Sequence, residues 1–161
     1  FRTKSGHGDV STVDRETVSI DARPEVVWDL VSDVTRMGEW SPECTGGRWF
    51  GRRRGPEVGA SFVGYNRRGW IRWLTTAKVE ESERGRSFVF RIRESGVRWG
   101  YEFEPDGDGT SLSEFRDLSG ARVGMIRTFS SLFLGGMDDH AEELREGMRQ
   151  TLAGIKAAAE A

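Results

Sequence analysis

Apolar and polar positions alternate from Thr12 to Asp21, with Val13, Arg15, Thr17 and Ser19 on one side and Asp14, Glu16, Val18 and Ile20 on the other. A period of two predicts a strand. The pattern then changes. Pro24 suits the first position of a helix, where its missing N–H costs nothing, and Glu25 sits at the positive end of the helix dipole. Val26, Val27, Leu30 and Val31 make a stripe of helical spacing. A second short helix is predicted from Asp33, carrying Val34, Met37 and Trp40 and stopped by Ser41-Pro42. From Cys44 to Asp117 alternation returns in six runs: Cys44–Phe50, Ser61–Arg68, Trp70–Glu83, Arg86–Arg93, Arg98–Glu104 and Thr110–Asp117. The turns between them are mostly short and Gly-rich, which makes neighbouring strands antiparallel. From Asp139 onward Ala141, Leu144, Met148, Leu152, Ile155 and Ala159 recur at spacings of three and four, the signature of one long amphipathic helix. Asp139 and Glu142 have capping-box spacing at its start, and Lys156 lies near its negative end.

This order gives an α+β chain: a seven-stranded antiparallel sheet, two short helices after the first strand and a long C-terminal helix. Such a sheet needs one face covered, and the long helix is the natural cover. A curved sheet wrapped around one helix can leave a space between them. Residues 1–12 show no periodicity and read as a flexible N-terminal tail, so residues 13–161 are expected to form a single domain. Ala121–Gly136, with Val123, Met125, Ile126, Phe129, Leu132 and Phe133, reads as a shorter helix or a lid.

Composition refines the picture. Apolar residues are only 36% of the 161, but counting the 21 Gly and setting aside the 2 Tyr brings them to about 48%, normal for a globular chain. The chain is poor in aliphatics and rich in glycine and aromatics, with 6 Trp and 9 Phe. No stretch is long and apolar enough for a transmembrane helix, so no stable membrane insertion is expected. Residues 1–16 contain no apolar signal-peptide core, and Phe1 in place of Met is read as a start that is not the initiator. The single Cys44 excludes an intrachain disulfide and a cysteine-based zinc cluster, consistent with a cytoplasmic location. Lys+Arg number 24 against 26 Asp+Glu, a net charge of −2, so no nucleic acid is expected as a partner. His7 and His140 are too far apart in sequence to suggest a metal site, and no metal or cofactor is predicted. No nucleophile elbow, phosphate loop or dinucleotide fingerprint is present. Arg52-Arg53-Arg54 reads as a solvated hairpin tip, with an anionic headgroup as a minor alternative.

Alternation also assigns faces. Trp99, Tyr101 and Phe103 share one side of their strand, Phe88, Phe90 and Ile92 one side of theirs, and Ile71, Trp73, Thr75, Ala77 and Val79 one side of theirs. These sides should face the long helix, whose facing residues are small or flexible. The plainer reading of each aromatic is core filling; the sharper one is a wall around a ligand space.

Three stretches carry a family resemblance. Ile20-Asp21-Ala22-Arg23-Pro24-Glu25-Val26-Val27-Trp28-Asp29-Leu30-Val31-Ser32-Asp33 leads to Glu39-Trp40-Ser41-Pro42-Glu43. The second is Asn66-Arg67-Arg68-Gly69-Trp70, and the third runs from Trp99-Gly100-Tyr101-Glu102-Phe103 through Glu104-Pro105-Asp106-Gly107-Asp108-Gly109-Thr110 to Glu114. Together they resemble the START-like (SRPBCC, Bet v 1-like) superfamily in its polyketide cyclase/dehydrase branch, over residues 13–160. The resemblance implies a helix-grip fold with a hydrophobic cavity, and no one ligand. Superfamily members include aromatases and cyclases, lipid and hormone carriers and co-chaperone-like domains.

On that basis the expected cavity lining is Trp40, Phe62, Trp73, Phe88, Phe90, Trp99, Tyr101, Phe129, Phe133, Leu144 and Met148. Three polar residues on apolar faces are the candidates for chemistry, because burying them costs free energy unless they are paired. Leu112 faces inward, and alternation takes Glu114 with it. Asn66 shares a face with Phe62 and Gly64. Glu43 follows Trp40-Ser41-Pro42, where superfamily pockets open. The three could form a polar floor that orients a ligand oxygen, one carboxyl acting as general acid or base. The plainer reading pairs each with Arg48, Arg98, Arg116 or a turn N–H. The leading expectation is therefore a monomeric or homodimeric protein that binds an aromatic, polyketide-like or lipid-like small molecule. A cyclase, aromatase or dehydratase and a co-chaperone-like interaction module are the alternatives.

Overall fold

The computed structural model of the chain describes residues 13–121 and 137–161. Its elements in order are β1 (Val13–Ile20), α1 (Pro24–Val31), a 3₁₀ helix (Val34–Glu39), β2 (Cys44–Phe50), β3 (Ser61–Arg68), β4 (Ile71–Glu83), β5 (Ser87–Ile92), β6 (Arg98–Asp106), β7 (Gly109–Asp117) and α2 (Met137–Glu160). The predicted tail, and all of the predicted lid except Ala121, lie outside the described residues.

The seven strands form one antiparallel sheet in the order β1-β7-β6-β5-β4-β3-β2. Strands β2 to β7 form a meander. Strand β1 sits on the opposite edge from β2, so α1 and the 3₁₀ helix carry the chain from one edge to the other. Bulges at Cys44/Gly46 and Val79/Glu81 interrupt the register and bend the strands. This is the curved sheet and long helix expected from the sequence pattern.

Local chemistry explains the ends of the short helices. Pro24 opens α1 after an extended Arg23, and Asp33 caps the 3₁₀ helix by accepting from the Thr35 backbone N–H at 3.1 Å. Trp28 donates its indole N–H to the Ser87 carbonyl at 2.8 Å, fastening α1 to the start of β5. Its ring meets Phe88 edge-on at 6.4 Å. A chain of aromatic contacts continues from there: Phe88 to Phe90 at 6.0 Å, Phe90 to Phe62 at 5.1 Å and Phe62 to Trp49 at 5.4 Å. Tilted and edge-to-face pairs of this kind add to the area they bury.

Helix α2 lies along β1. Arg145 bonds Asp14 at 3.0 Å, Arg149 pairs with Glu16 at 3.5 Å, Lys156 donates to the Ser19 carbonyl at 2.7 Å, and Glu160 accepts from the Asp21 N–H at 3.0 Å. Its buried side carries Met148, Leu152 and Ile155. Gly154 lets the helix approach closely, since a Cβ there would stand 2.7 Å from the Cβ of Trp40.

Several boundaries shift by one or two residues from the sequence prediction, and two of the differences have a physical reason. The helix starts at Met137, so Asp139 lies in its first turn and not at the cap position. Trp70 was assigned to a strand but sits in the two-residue turn Gly69-Trp70, where Gly69 takes the positive φ of 61° that the turn needs. The turn places Trp70 outside the ladder, and it is 89% exposed.

Candidate functional site

The inner face of β7 repeats Thr110, Leu112, Glu114 and Arg116, all buried. Three of these are polar, and each has a different solution. Thr110 donates its hydroxyl to the Ala22 carbonyl at 2.6 Å. The Arg116 guanidinium pairs with Asp14, which also receives Arg145. Burial pushes the Asp14 carboxyl up, but bonds from the two arginines outweigh it and hold the group below its ordinary value.

Glu114 has no such cation. It is 4% exposed, and one oxygen, Oε1, accepts from the Tyr101 hydroxyl at 3.3 Å. The other, Oε2, is buried with no hydrogen-bond partner among the described residues. Burial raises the Glu114 carboxyl to about 8, with the Tyr101 bond pulling only weakly the other way. Tyr101 is itself pushed well above the usual phenol range, by burial first and then by Glu114 and Cys44. Register places Glu16 of β1 directly opposite Glu114, so an ionised Glu114 would also face a like charge across the strands.

The other two candidate polar residues sit elsewhere. Glu43 is half-buried and lies 3.8 Å from Arg68, which also pairs with Glu143 of α2 at 2.7 Å. Burial raises the Glu43 carboxyl, Arg68 opposes the rise, and Glu143 adds to it. Asn66 donates to the Thr75 hydroxyl at 3.2 Å and more weakly to the Gly64 carbonyl. No hydrogen bond joins Glu43, Asn66 and Glu114 to one another. The cations weighed as partners are engaged otherwise: Arg116 with Asp14, Arg98 with Glu80 and Glu81, while Arg48 is exposed.

Among the expected lining residues, Trp40, Phe62, Phe88, Phe90, Tyr101 and Met148 are buried, and Trp73, Trp99 and Leu144 are half-buried. Phe129 and Phe133 fall outside the described residues. Phe62, Phe88 and Phe90 pack on one another as core, and Trp40 packs on Gly154. Two open grooves are lined by described residues, one at Arg23–Glu25 against the Gly107 turn and one at the β2–β3 loop. Both lie on the outer surface, and neither includes a residue expected in the site.

The sequence reading missed the pairing of Tyr101 with Glu114, although the signal was present. Counting back from the two-residue turn Gly107-Asp108 puts these residues opposite each other, as the register has them. Arg68 as the partner of Glu43 was also missed. Its ion pair with Glu143 joins segments far apart in the sequence, and no local pattern announces it.

The family model described as "Polyketide cyclase / dehydrase and lipid transport" matches residues 13–160. No curated protein matches the chain. Among solved structures, the chain is 32% identical to the Polyketide_cyc-like protein Cgl2372 from Corynebacterium glutamicum, covering 93% of this chain and 86% of that one with a TM-score of 0.53. The major latex-like protein 151 of Panax ginseng shares the fold at 11% identity, with 91% and 96% coverage and a TM-score of 0.68. The di-domain ARO/CYC protein StfQ of the steffimycin biosynthetic pathway is 14% identical, with a TM-score of 0.65 over 91% of this chain and 44% of its own.

Proposed function

The chain belongs to the polyketide cyclase/dehydrase and lipid transport family, and from that premise we propose that it binds an apolar small molecule, aromatic, polyketide-like or lipid-like, between the inner face of its sheet and α2. The observation that carries this reading is Oε2 of Glu114, buried on the inner face and without a hydrogen-bond partner among the described residues, where Thr110 and Arg116 of the same strand are both satisfied. A carboxyl that titrates near 8 keeps its proton at neutral pH. With Oε1 taking the Tyr101 hydroxyl, the proton is held on Oε2 and is free to donate. A carbonyl or hydroxyl oxygen of a ligand would satisfy it, and leaving such a group unsatisfied in a buried site is costly. Trp73 and Trp99, half-buried on the same face, offer flat apolar surface for the rest of the molecule.

The same carboxyl supports a second reading, a cyclase, aromatase or dehydratase. A group poised near neutrality can give its proton to a carbonyl oxygen and later take one back. StfQ, of like fold, is described as an ARO/CYC protein.

Native mass spectrometry of the purified protein, followed by titration with a hydroxyanthraquinone and with a long-chain fatty acid, tests the binding reading. Retention or uptake of one class is expected. Glu114→Met removes both oxygens and should weaken uptake about tenfold. Glu114→Gln keeps an acceptor for Tyr101 and a donor, so binding should stay within a few-fold of wild type. If the wild type turns over a poly-β-ketone mimic and Glu114→Gln does not, the enzyme reading stands. No retained mass and no uptake of either probe would overturn the binding reading.

A further inference from the structure

The outer face of β2–β5 carries a charge that the net −2 of the whole chain conceals. Arg48, Arg67, Arg72, Lys78 and Arg93 are all exposed on it. None of the five makes an ion pair among the described residues. The carboxylates of β4 are already held by arginines: Glu80 by Arg91 and Arg98, Glu81 by Arg98 and Glu83 by Arg86. Glu94 is engaged by the N–H and hydroxyl of Thr76. Arg67 stands directly opposite Arg72 in the β3–β4 register, an arrangement that destabilises a sheet unless something outside the chain neutralises it.

Apolar groups interleave with this charge. Tyr65 and Leu74 face each other one step along, 39% and 60% exposed, and Trp70 at the hairpin tip is 89% exposed. The tip lies at the end of the sheet where the Arg68–Glu143 bond holds the first turns of α2.

We propose that the β3–β4 hairpin docks the protein on a bilayer surface that carries anionic lipids. Indole rings seat at the headgroup level of a bilayer, and clustered Arg and Lys are drawn to anionic headgroups. Leu74 offers shallow aliphatic burial. No base stacks on Leu74, so the directly paired Tyr65 and Leu74 make an aliphatic and aromatic patch that suits a bilayer better than a single-stranded nucleic acid, whose bases need successive rings. The attraction belongs to one face, so it falls with added salt while the rest of the surface contributes little.

The test is co-sedimentation of the full chain with vesicles of phosphatidylcholine alone and of phosphatidylcholine mixed with phosphatidylglycerol. Binding is expected to the mixed vesicles at low salt and not to phosphatidylcholine alone. Trp70→Ala and the double variant Arg67→Gln/Arg72→Gln are each expected to weaken it about tenfold or more. Both alter exposed side chains, and their thermal melts should match wild type. Brominated acyl chains should quench tryptophan fluorescence in the wild type and much less in Trp70→Ala. Uptake of a hydroxyanthraquinone from solution should be unchanged in Trp70→Ala, so a failure here is separable from a failure of the binding reading. Equal binding to neutral vesicles, wild-type binding by Trp70→Ala, or displacement of vesicles by a single-stranded oligonucleotide would overturn the proposal.

Discussion

Glu114 binds its proton more tightly in the folded chain than an unfolded chain would, and this has a sign. The unfolded carboxyl titrates near 4.5 and the folded one near 8. Between these values the folded state carries the extra proton, so stability falls as pH rises through the window and levels off above it. The difference over the whole window is about 3–5 kcal/mol. Glu114→Gln replaces the group with a neutral one of the same shape. Urea unfolding of the two proteins from pH 5 to pH 9 should therefore diverge, with the variant the more stable at the alkaline end. Parallel curves would show that the carboxyl is solvated. A bound ligand that accepts the Glu114 proton would strengthen the wild-type dependence, since it binds the protonated form.

Helix α2 meets Trp40, the residue that follows the 3₁₀ helix, at Gly154, and the absence of a side chain there is what the contact needs. Alanine at this position gains about 1 kcal/mol of helix propensity. It also drives a methyl into Trp40, and overpacking of this kind costs about 1–3 kcal/mol. The packing cost is expected to win, so Gly154→Ala should lower the urea midpoint, and Gly154→Leu should lower it further. A raised midpoint for Gly154→Ala would mean that the helix shifts freely over Trp40. Element by element, the strands were legible because period-two runs ended at Gly-rich turns. Pairings within the two-residue hairpins were also legible, since Asn66–Trp73 and Tyr101–Glu114 follow from counting back from the turn. Contacts between distant segments were not. Nothing near Glu43 points to an arginine shared with Glu143, and nothing near Asp14 points to Arg116 and Arg145. The strand pattern around Trp70 misled because an aromatic at a turn looks like the first residue of the strand that follows it. A glycine inside a helix, by contrast, was an unused signal of close approach.

At the scale of the molecule, the sheet order separates contacts by the length of chain that they must close. Among themselves, strands β2 to β7 pair only with sequence neighbours, most of them across short turns. Strand β1 pairs with β7 and bonds α2, and its link from Asp14 to Arg116 spans 102 positions. Closing so long a loop costs entropy before any contact returns it. An order in time is therefore expected: the meander forms first, and β1 with α2 joins it as the last seam. Val89→Ala, in the middle of β5, should slow refolding, with a φ-value of about 0.5–0.8. Ile20→Val, at the end of β1, should mainly speed unfolding, with a φ-value of about 0–0.3. The reverse pattern in stopped-flow chevrons would mean that β1 and α2 nucleate the sheet. If the seam does form last, it is also the natural place for the chain to open briefly without unfolding. Since β1 borders Glu114 directly, each such opening would expose the inner face while the hairpins around it stay intact.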